Sequence, residues 1–519
     1  MSRRGLLADW KPVLVTARWR EGGWALGRDD TEEFEAIPGS GPRSGQRFIH
    51  SKPKEGGAER LAQGTLGSFD VASSTMANMA PAMSFYFSFA VIAGTSGLAS
   101  PLVIILAAVA IAILGNTLAE FSRSTPSAGS FVTFVGMSFG PVAAVTTALT
   151  VSAGYVIAIA AVVVISGEWF DAIVLRYLHL SAPWEVYSTV FVLGAAYMMF
   201  RGVRVSTKVA ASLFATQLAI LLIVSVAVLV DHHRALTLQP FNPAKLSGGF
   251  SGLSLGFPLA MFMFIGWENS ASLAEETVEP RRNVPRAIFA SVAIMALTYV
   301  FLSYATVVGF GNNFRAVASS SVPFLDAAHG VNGLLLFLAY LAGMASIVGS
   351  LVAASNSQSR IIFSSGREGI LPSFTARLSA TRRTPWASIA LFLGIAMAIS
   401  FAFGGRTDPV VFFGEIATLG TILVALVYLV SNLALPFYYR RHHPEDFNLV
   451  RHLVLPALGV LCIGFPLFEL VKPGQSAPFS FFPYLALAIV VVSVAYAFYL
   501  NRKDPELAER IGSFVADSE

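Results

Sequence analysis

One cysteine, Cys462, stands in the 519 residues, inside an apolar run, so no disulfide can form within the chain. The eight histidines (His50, His179, His232, His233, His329, His442, His443 and His452) fall in tails, loops or helix ends. No H-E-x-x-H or C-x-x-C spacing occurs, which argues against a metal site and a buried histidine relay. Charge is equally scarce. Asp, Glu, Lys and Arg make up 13% of the chain, against about 25% in a soluble domain. No nucleophile–base pair or phosphate-cradling loop is visible, so the pattern does not suggest an enzyme, and no cofactor is expected. Also missing are the ten-residue alternating segments of a membrane β-barrel and the apolar core of a cleavable signal peptide. The net charge of +4 comes from loops and a basic tail, which makes nucleic acid a poor partner.

What remains is apolar. Hydrophobic residues are 55% of the chain and mean hydropathy is +0.65. A spanning helix needs roughly 20 mostly apolar residues. Twelve stretches qualify, at 71–93, 99–121, 138–165, 183–200, 206–230, 249–273, 285–309, 332–358, 385–403, 409–437, 451–471 and 480–500. The 43 glycines and 41 phenylalanines suit helices packed closely in lipid. The predicted fold is therefore an all-α integral membrane protein with twelve transmembrane helices. Residues 1–65 mix Arg, Glu, Gly, Pro and Ser without an apolar period, and read as a disordered tail. With that tail inside, fifteen loop Lys and Arg lie on the cytoplasmic side and six on the other. That asymmetry predicts cytoplasmic termini, including a C-terminal tail over 501–519, in a multi-pass protein of the cytoplasmic membrane.

Two spans are interrupted. Pro81 sits about ten residues into the first, among small and polar side chains, and is read as a helix break or a kink. In the sixth, Gly266 precedes Glu268, Asn269, Ser270 and Ser272. An ionisable group at such depth is a functional candidate by default. The breaks are five helices apart, the spacing of two inverted five-helix repeats at 66–230 and 249–437, followed by helices 11 and 12 at 451–500.

Four segments carry a family resemblance. The run Phe264 to Ile288, reading G-x-E and then E-E-T-x-x-P-x-R-x-V-P-R-A-I, resembles the sixth-helix signature of the amino acid–polyamine–organocation permeases. Ser124–Phe131 is similar to the P-x-[SA]-G-[GS]-x-[YF] element between helices two and three, and Gly202–Lys208 to the entry of helix five. Ser359-Arg360 with Gly366–Pro372 resembles the element closing helix eight. The resemblance implies a secondary active transporter that moves amino acids or related amines by alternating access, proton-coupled or as an exchanger. Alternatives are a polyamine or ethanolamine permease and a non-transporting sensor of the same fold. The implied partners are a small-molecule substrate, membrane lipid and protons; oligomeric state is left open.

Carried over residue by residue, the resemblance assigns substrate contacts to Asn78, Met79, Ala80 and Pro81 in span one, and to Phe264, Ile265 and Gly266 in span six. The chain departs from the family here, since Met79-Ala80-Pro81-Ala82 replaces a Gly-[SAT]-Gly triplet and proline offers no N–H to a carboxylate. Phe262 matches an aromatic gate, or packs in the core. Tyr155 caps the substrate, or packs with its hydroxyl satisfied. Glu268 is a proton carrier or a structural carboxylate, and Trp267 belongs with it or with the packing. Gln217 stands where some relatives have a lysine; it cannot titrate and is read as a polar link between helices. Ser346 and Ser350, four apart on one face, are candidate sodium ligands, or bond their own helix backbone. Glu415 attracts a cationic substrate or reaches the outer interface. The loop from Glu275 to Arg286 is read as an inner latch, with Arg281, Arg282 and Arg286 pairing to the loop carboxylates Glu275, Glu276 and Glu279 and to helix-eight-end residues such as Glu368.

Overall fold

The computed structural model describes residues 60–513; the tail over 1–59 and residues 514–519 lie outside the described part. The described residues are helical or irregular, with two isolated β-bridges. In chain order the helices are α1 (Ser68–Met79), α2 (Pro81–Ser96), α3 (Ser100–Ser124), α4 (Phe131–Phe139), α5 (Pro141–Leu178), α6 (Trp184–Phe200) and α7 (Val203–Asp231). There follow α8 (Phe250–Phe262), α9 (Asn269–Ser272), α10 (Pro280–Gly309), α11 (Phe314–Ser319), α12 (Pro323–Val331) and α13 (Gly333–Arg367). The last are α14 (Trp386–Phe403), α15 (Pro409–His442), α16 (Leu455–Val471), α17 (Phe482–Lys503) and α18 (Leu507–Arg510).

Among the described residues, ten helices are long and apolar enough to cross a membrane, counting α1 with α2, the turn Val450–Val454 with α16 and the turn Phe479–Phe481 with α17. Two further apolar helices fall short of that length: α6, with 17 residues, and α8, with 13. The α8 helix is short because the chain leaves helical geometry after Phe262. The α5 helix runs further than its apolar stretch suggests. It carries Arg176 in its last turn and ends at His179, whose φ of 56° stops it.

The interruption in span one is complete. The α1 helix ends at Met79, Ala80 adopts a left-handed conformation (φ 50°, ψ 68°), and α2 starts at Pro81. Pro81 therefore occupies a first helical position, where its missing N–H costs nothing and its fixed φ suits the start. It begins a helix and does not kink one. The strain is carried by Ala80, because a non-glycine residue at positive φ costs roughly 1–2 kcal/mol.

The second interruption covers residues 263–268, with Gly266 at φ 104°. A Cβ there would lie 2.9 Å from Asn78 Cγ and 3.0 Å from the Asn78 carbonyl carbon. Only glycine lets the two breaks touch. A second close approach joins α5 to α15, where a Cβ on Gly420 would sit 2.7 Å from the Gly154 carbonyl oxygen. Small residues let membrane helices approach in this way, replacing the hydrophobic drive that lipid removes.

At one end of the bundle, the segments that carry the family resemblance converge. Thr65 and Leu66 donate their N–H groups to the Glu276 carbonyl at 2.9 Å each, and Leu66 accepts from Val278 N–H. Leu61 is buried beside Ala128 and Phe363. Arg360, fully buried within α13, makes a two-pronged ion pair with Glu276 and also donates to the Asn356 carbonyl at 2.7 Å. Arg367 grips Glu275 in the same way, at 2.6 and 3.0 Å, and Glu275 accepts from Ala128 N–H. The expected arginine partners are thus corrected. Arg282 does pair with one loop carboxylate, its neighbour Glu279, but Glu275 and Glu276 take Arg367 and Arg360 instead, and among the described residues Arg281 and Arg286 pair with none. The reason is burial: they lie on the first turns of α10 facing outward, while Arg360 and Arg367 approach from α13 beneath the loop.

Candidate functional site

The two breaks face one cavity of about 70 Å³, lined by Asn78, Tyr155, Phe262, Ile265 and Ser350 among others. These five are sequence-predicted residues. The rest of the wall is largely apolar, from Met83 and Ile159 to Phe413 and Val424, and no acidic or basic side chain lines it. Two buried polar atoms at the cavity, Asn78 Nδ2 and the Tyr155 hydroxyl, have no hydrogen-bond partner among the described residues. Buried polar groups are nearly always satisfied, so an unmade bond in a cavity marks a position for a ligand's polar atom.

Other predicted contacts lie around the cavity without lining it. The Met79 carbonyl accepts from Ser84 Oγ at 2.7 Å. The Tyr299 hydroxyl on α10 lies 2.7 Å from the Met263 carbonyl and 3.1 Å from that of Met79, so one proton serves both breaks. Phe264 packs edge-on against the Tyr299 ring, with centroids 5.1 Å apart. Gly266 is pressed on Asn78, and Ala80 and Pro81 are buried. Below the breaks, Thr75 and Ser270 share a 2.6 Å hydroxyl contact, and Asn269 donates to Ser74. Ser84 and Tyr299 were not legible as site residues; a serine four positions past Ala80 and a tyrosine in the middle of an apolar span were the available signals.

The first N–H groups of α2, which have no partner within their own helix, are covered. Gln217 Oε1 on α7 accepts from Ala82 N–H at 3.4 Å, and Ser346 Oγ on α13 accepts from Met83 N–H at 3.0 Å. Gln217 is thus a polar link between helices, as its chemistry suggests. Ser350 reaches the Asn78 carbonyl at 3.4 Å. Both serines bond the break in span one, not the backbone of their own helix.

Glu268 is buried just past Gly266 and outside the cavity wall. One carboxylate oxygen accepts from Gly266 N–H at 3.1 Å, capping the broken backbone, and the other has no partner among the described residues. It faces the Tyr428 hydroxyl on α15. Trp267, also buried, lies 5.4 Å from the Tyr428 ring, centroid to centroid. Glu415 sits partly exposed on α15 and does not line the cavity. Among the described residues no cluster of His, Cys, Asp or Glu is arranged to hold a metal ion.

A cavity closed between two interrupted helices of a multi-pass membrane protein is the build of a small-molecule transporter. A sequence profile described as amino acid permease matches residues 66–494, and the chain belongs to that family, within the amino acid–polyamine–organocation group. It is 25% identical over 441 residues to the branched-chain amino acid permease BcaP of Bacillus subtilis, covering 80% of this chain and 88% of the relative. It is 26% identical over 425 residues to the low-affinity putrescine importer PlaP of Escherichia coli, covering 77% and 87%. Among solved structures, a manganese transporter variant of Eremococcus coleocola superposes with a TM-score of 0.56 over 86% of this chain and 99% of its own. At 11% identity that likeness concerns the fold alone. These relatives are transporters, not enzymes.

Proposed function

We propose that this chain is a secondary active transporter of neutral amino acids with apolar side chains, working by alternating access in the cytoplasmic membrane. Its twelve spans form two inverted five-helix repeats plus two further helices, with both termini in the cytoplasm. The observation that carries the substrate class is the cavity. Its apolar wall suits an apolar side chain, and Asn78 Nδ2 and the Tyr155 hydroxyl offer polar contacts to a backbone-like head group. A diamine asks for a carboxylate near each ammonium, because an unpaired buried charge is costly. The wall has none, and Glu268 lies beyond the break. The likeness to a branched-chain permease supports the same reading, and the putrescine importer supplies the competing one.

Glu268 is the proposed coupling residue, since it is buried, lies beside Tyr428, and keeps one carboxylate oxygen free of any close hydrogen bond among the described residues. The test is uptake in proteoliposomes of labelled leucine, isoleucine, valine and putrescine, with proton and sodium gradients imposed separately. The expected result is accumulation of the three amino acids driven by an inward proton gradient. Putrescine uptake that the amino acids fail to compete overturns the substrate class. Ligand binding without flux for every compound supports a sensor instead.

A further inference from the structure

Beyond the transport cavity, a second and larger pocket of about 420 Å³ opens at the same end of the bundle as the Glu275–Arg367 pair. Four elements build it: the end of α3, the start of α10, the end of α15 and the segment leading into α16. Its floor is Glu120, whose side chain is 5% exposed. Arg123 and His452 both donate to that carboxylate, the latter through Nε2 at 3.2 Å, and Arg451 stands 4.0 Å away. The Asn448 N–H donates to His452 Nδ1 at 2.9 Å, so the ring proton sits on Nε2. Asn448 Oδ1 accepts in turn from Val450 and Arg451 N–H, at 3.0 Å each, which fixes the turn that carries Arg451. The His452 ring stacks on Tyr439, with centroids 3.5 Å apart. The floor is therefore held rigidly before any ligand arrives.

The charges do not cancel. Arg123, Arg281 and Arg451 face Glu120 and Asp446, leaving one net positive charge, with His443 and His452 adding none while neutral. Arg281 comes from α10 and makes no ion pair or hydrogen bond among the described residues, and Asp446 pairs with no cation there. Guanidinium groups fit phosphate oxygens two at a time. One phosphodiester, with its single negative charge, would balance the pocket. The same segment also supplies apolar surface: Leu449, Val450 and Val454 are 60%, 55% and 42% exposed beside the pocket residues Asn448 and Arg451. Exposed apolar side chains next to converging arginines at the end of membrane helices match a lipid, headgroup inward and acyl chains outward.

We infer that this pocket binds the phosphate of an anionic phospholipid through Arg123, Arg281 and Arg451, with the acyl chains along Leu449, Val450 and Val454. The lipid joins α10 to the α15–α16 turn, which no protein ion pair in the pocket does.

The test uses the full chain in detergent, titrated with phosphatidylglycerol, phosphatidylcholine or inorganic phosphate and followed by native mass spectrometry. Arg281→Gln and the double variant Arg281→Gln, Arg451→Gln are compared with wild type, and Arg406→Gln serves as a control far from the pocket. Arg281 is exposed and has no partner among the described residues, so its loss leaves folding intact. Retention of phosphatidylglycerol should exceed that of phosphatidylcholine, and each pocket substitution should weaken it roughly tenfold, the scale of one charge-assisted hydrogen bond. Arg406→Gln should change nothing. Equal retention of both lipids, or undiminished phosphatidylglycerol binding in both pocket variants, overturns the site. Displacement of the lipid by millimolar inorganic phosphate, with no preference for the lipid itself, assigns the pocket to soluble phosphate and overturns the lipid.

Discussion

Replacing Tyr299 with phenylalanine removes one hydroxyl and nothing else. The ring is fully buried and rests edge-on against Phe264, so packing is preserved. The lost group serves the Met263 carbonyl at 2.7 Å and the Met79 carbonyl at 3.1 Å. Met79 keeps a donor, since Ser84 Oγ reaches it at 2.7 Å. Met263 lies outside any helix and accepts from no other group among the described residues. A buried carbonyl left bare costs about 1–3 kcal/mol. Tyr299→Phe should therefore destabilise by about that amount, as read from unfolding titrations in mixed micelles. Ser84→Ala alone should cost less, because the Tyr299 proton can turn to Met79. In the double variant both carbonyls are bare, and the cost should exceed the sum of the singles by at least about 0.5 kcal/mol, the scale of residues sharing a partner. A Tyr299→Phe cost below about 0.3 kcal/mol, or strict additivity with Ser84→Ala, would refute the shared-proton arrangement.

Glu268→Gln should impair proton-driven uptake far more than Glu415→Gln; wild-type rates for both would sink the role of Glu268. Arg360→Met should cost about 3–5 kcal/mol, because it leaves Glu276 buried and unpaired, while replacing both partners with apolar residues should recover most of the loss in the same unfolding assay. Burial pushes the Glu368 carboxyl, packed near Gly512 N–H, up to about 8. That proton is kept while the carboxyl is buried in the folded protein and lost at ordinary carboxylate pH once unfolding exposes it. The group's contribution to stability is thus fullest below about pH 4.5 and is lost as pH rises toward 8, levelling off above it. Unfolding titrations of wild type should lose stability across that window relative to Glu368→Gln. A flat wild-type profile would count against it.

Much of the helical plan was readable because lipid imposes a length and a composition on each span. The breaks were readable for a related reason, since Pro81, Gly266 and Glu268 are costly in an unbroken membrane helix. What escaped the sequence was partnership. Arg360 reads as one more loop cation, yet it is buried in α13 against Glu276. Arg281, Arg282 and Arg286 look equally able to serve, and only three-dimensional depth separates them. Tyr299 and Ser84 escaped because a lone hydroxyl in an apolar run is the usual sign of packing, and its acceptors lie on other helices. Ser346 and Gln217 were noticed, but the atoms they hold belong to a helix start more than a hundred residues away in the chain.

Those two caps make the protein a competitor for its own binding groups. Any carboxylate seeking the first N–H groups of α2 must displace an amide oxygen from α7 and a hydroxyl from α13, both already in place. The protein thus presents every ligand with an internal rival of fixed strength, present at effectively constant concentration. A ligand that does not displace these caps is left to the apolar part of the cavity, whereas one that does breaks the links from Gln217 on α7 and Ser346 on α13 to α2. In the proposed alternating-access cycle, recognition and the freeing of α2 from α7 and α13 would be one event, with a threshold set by two side chains.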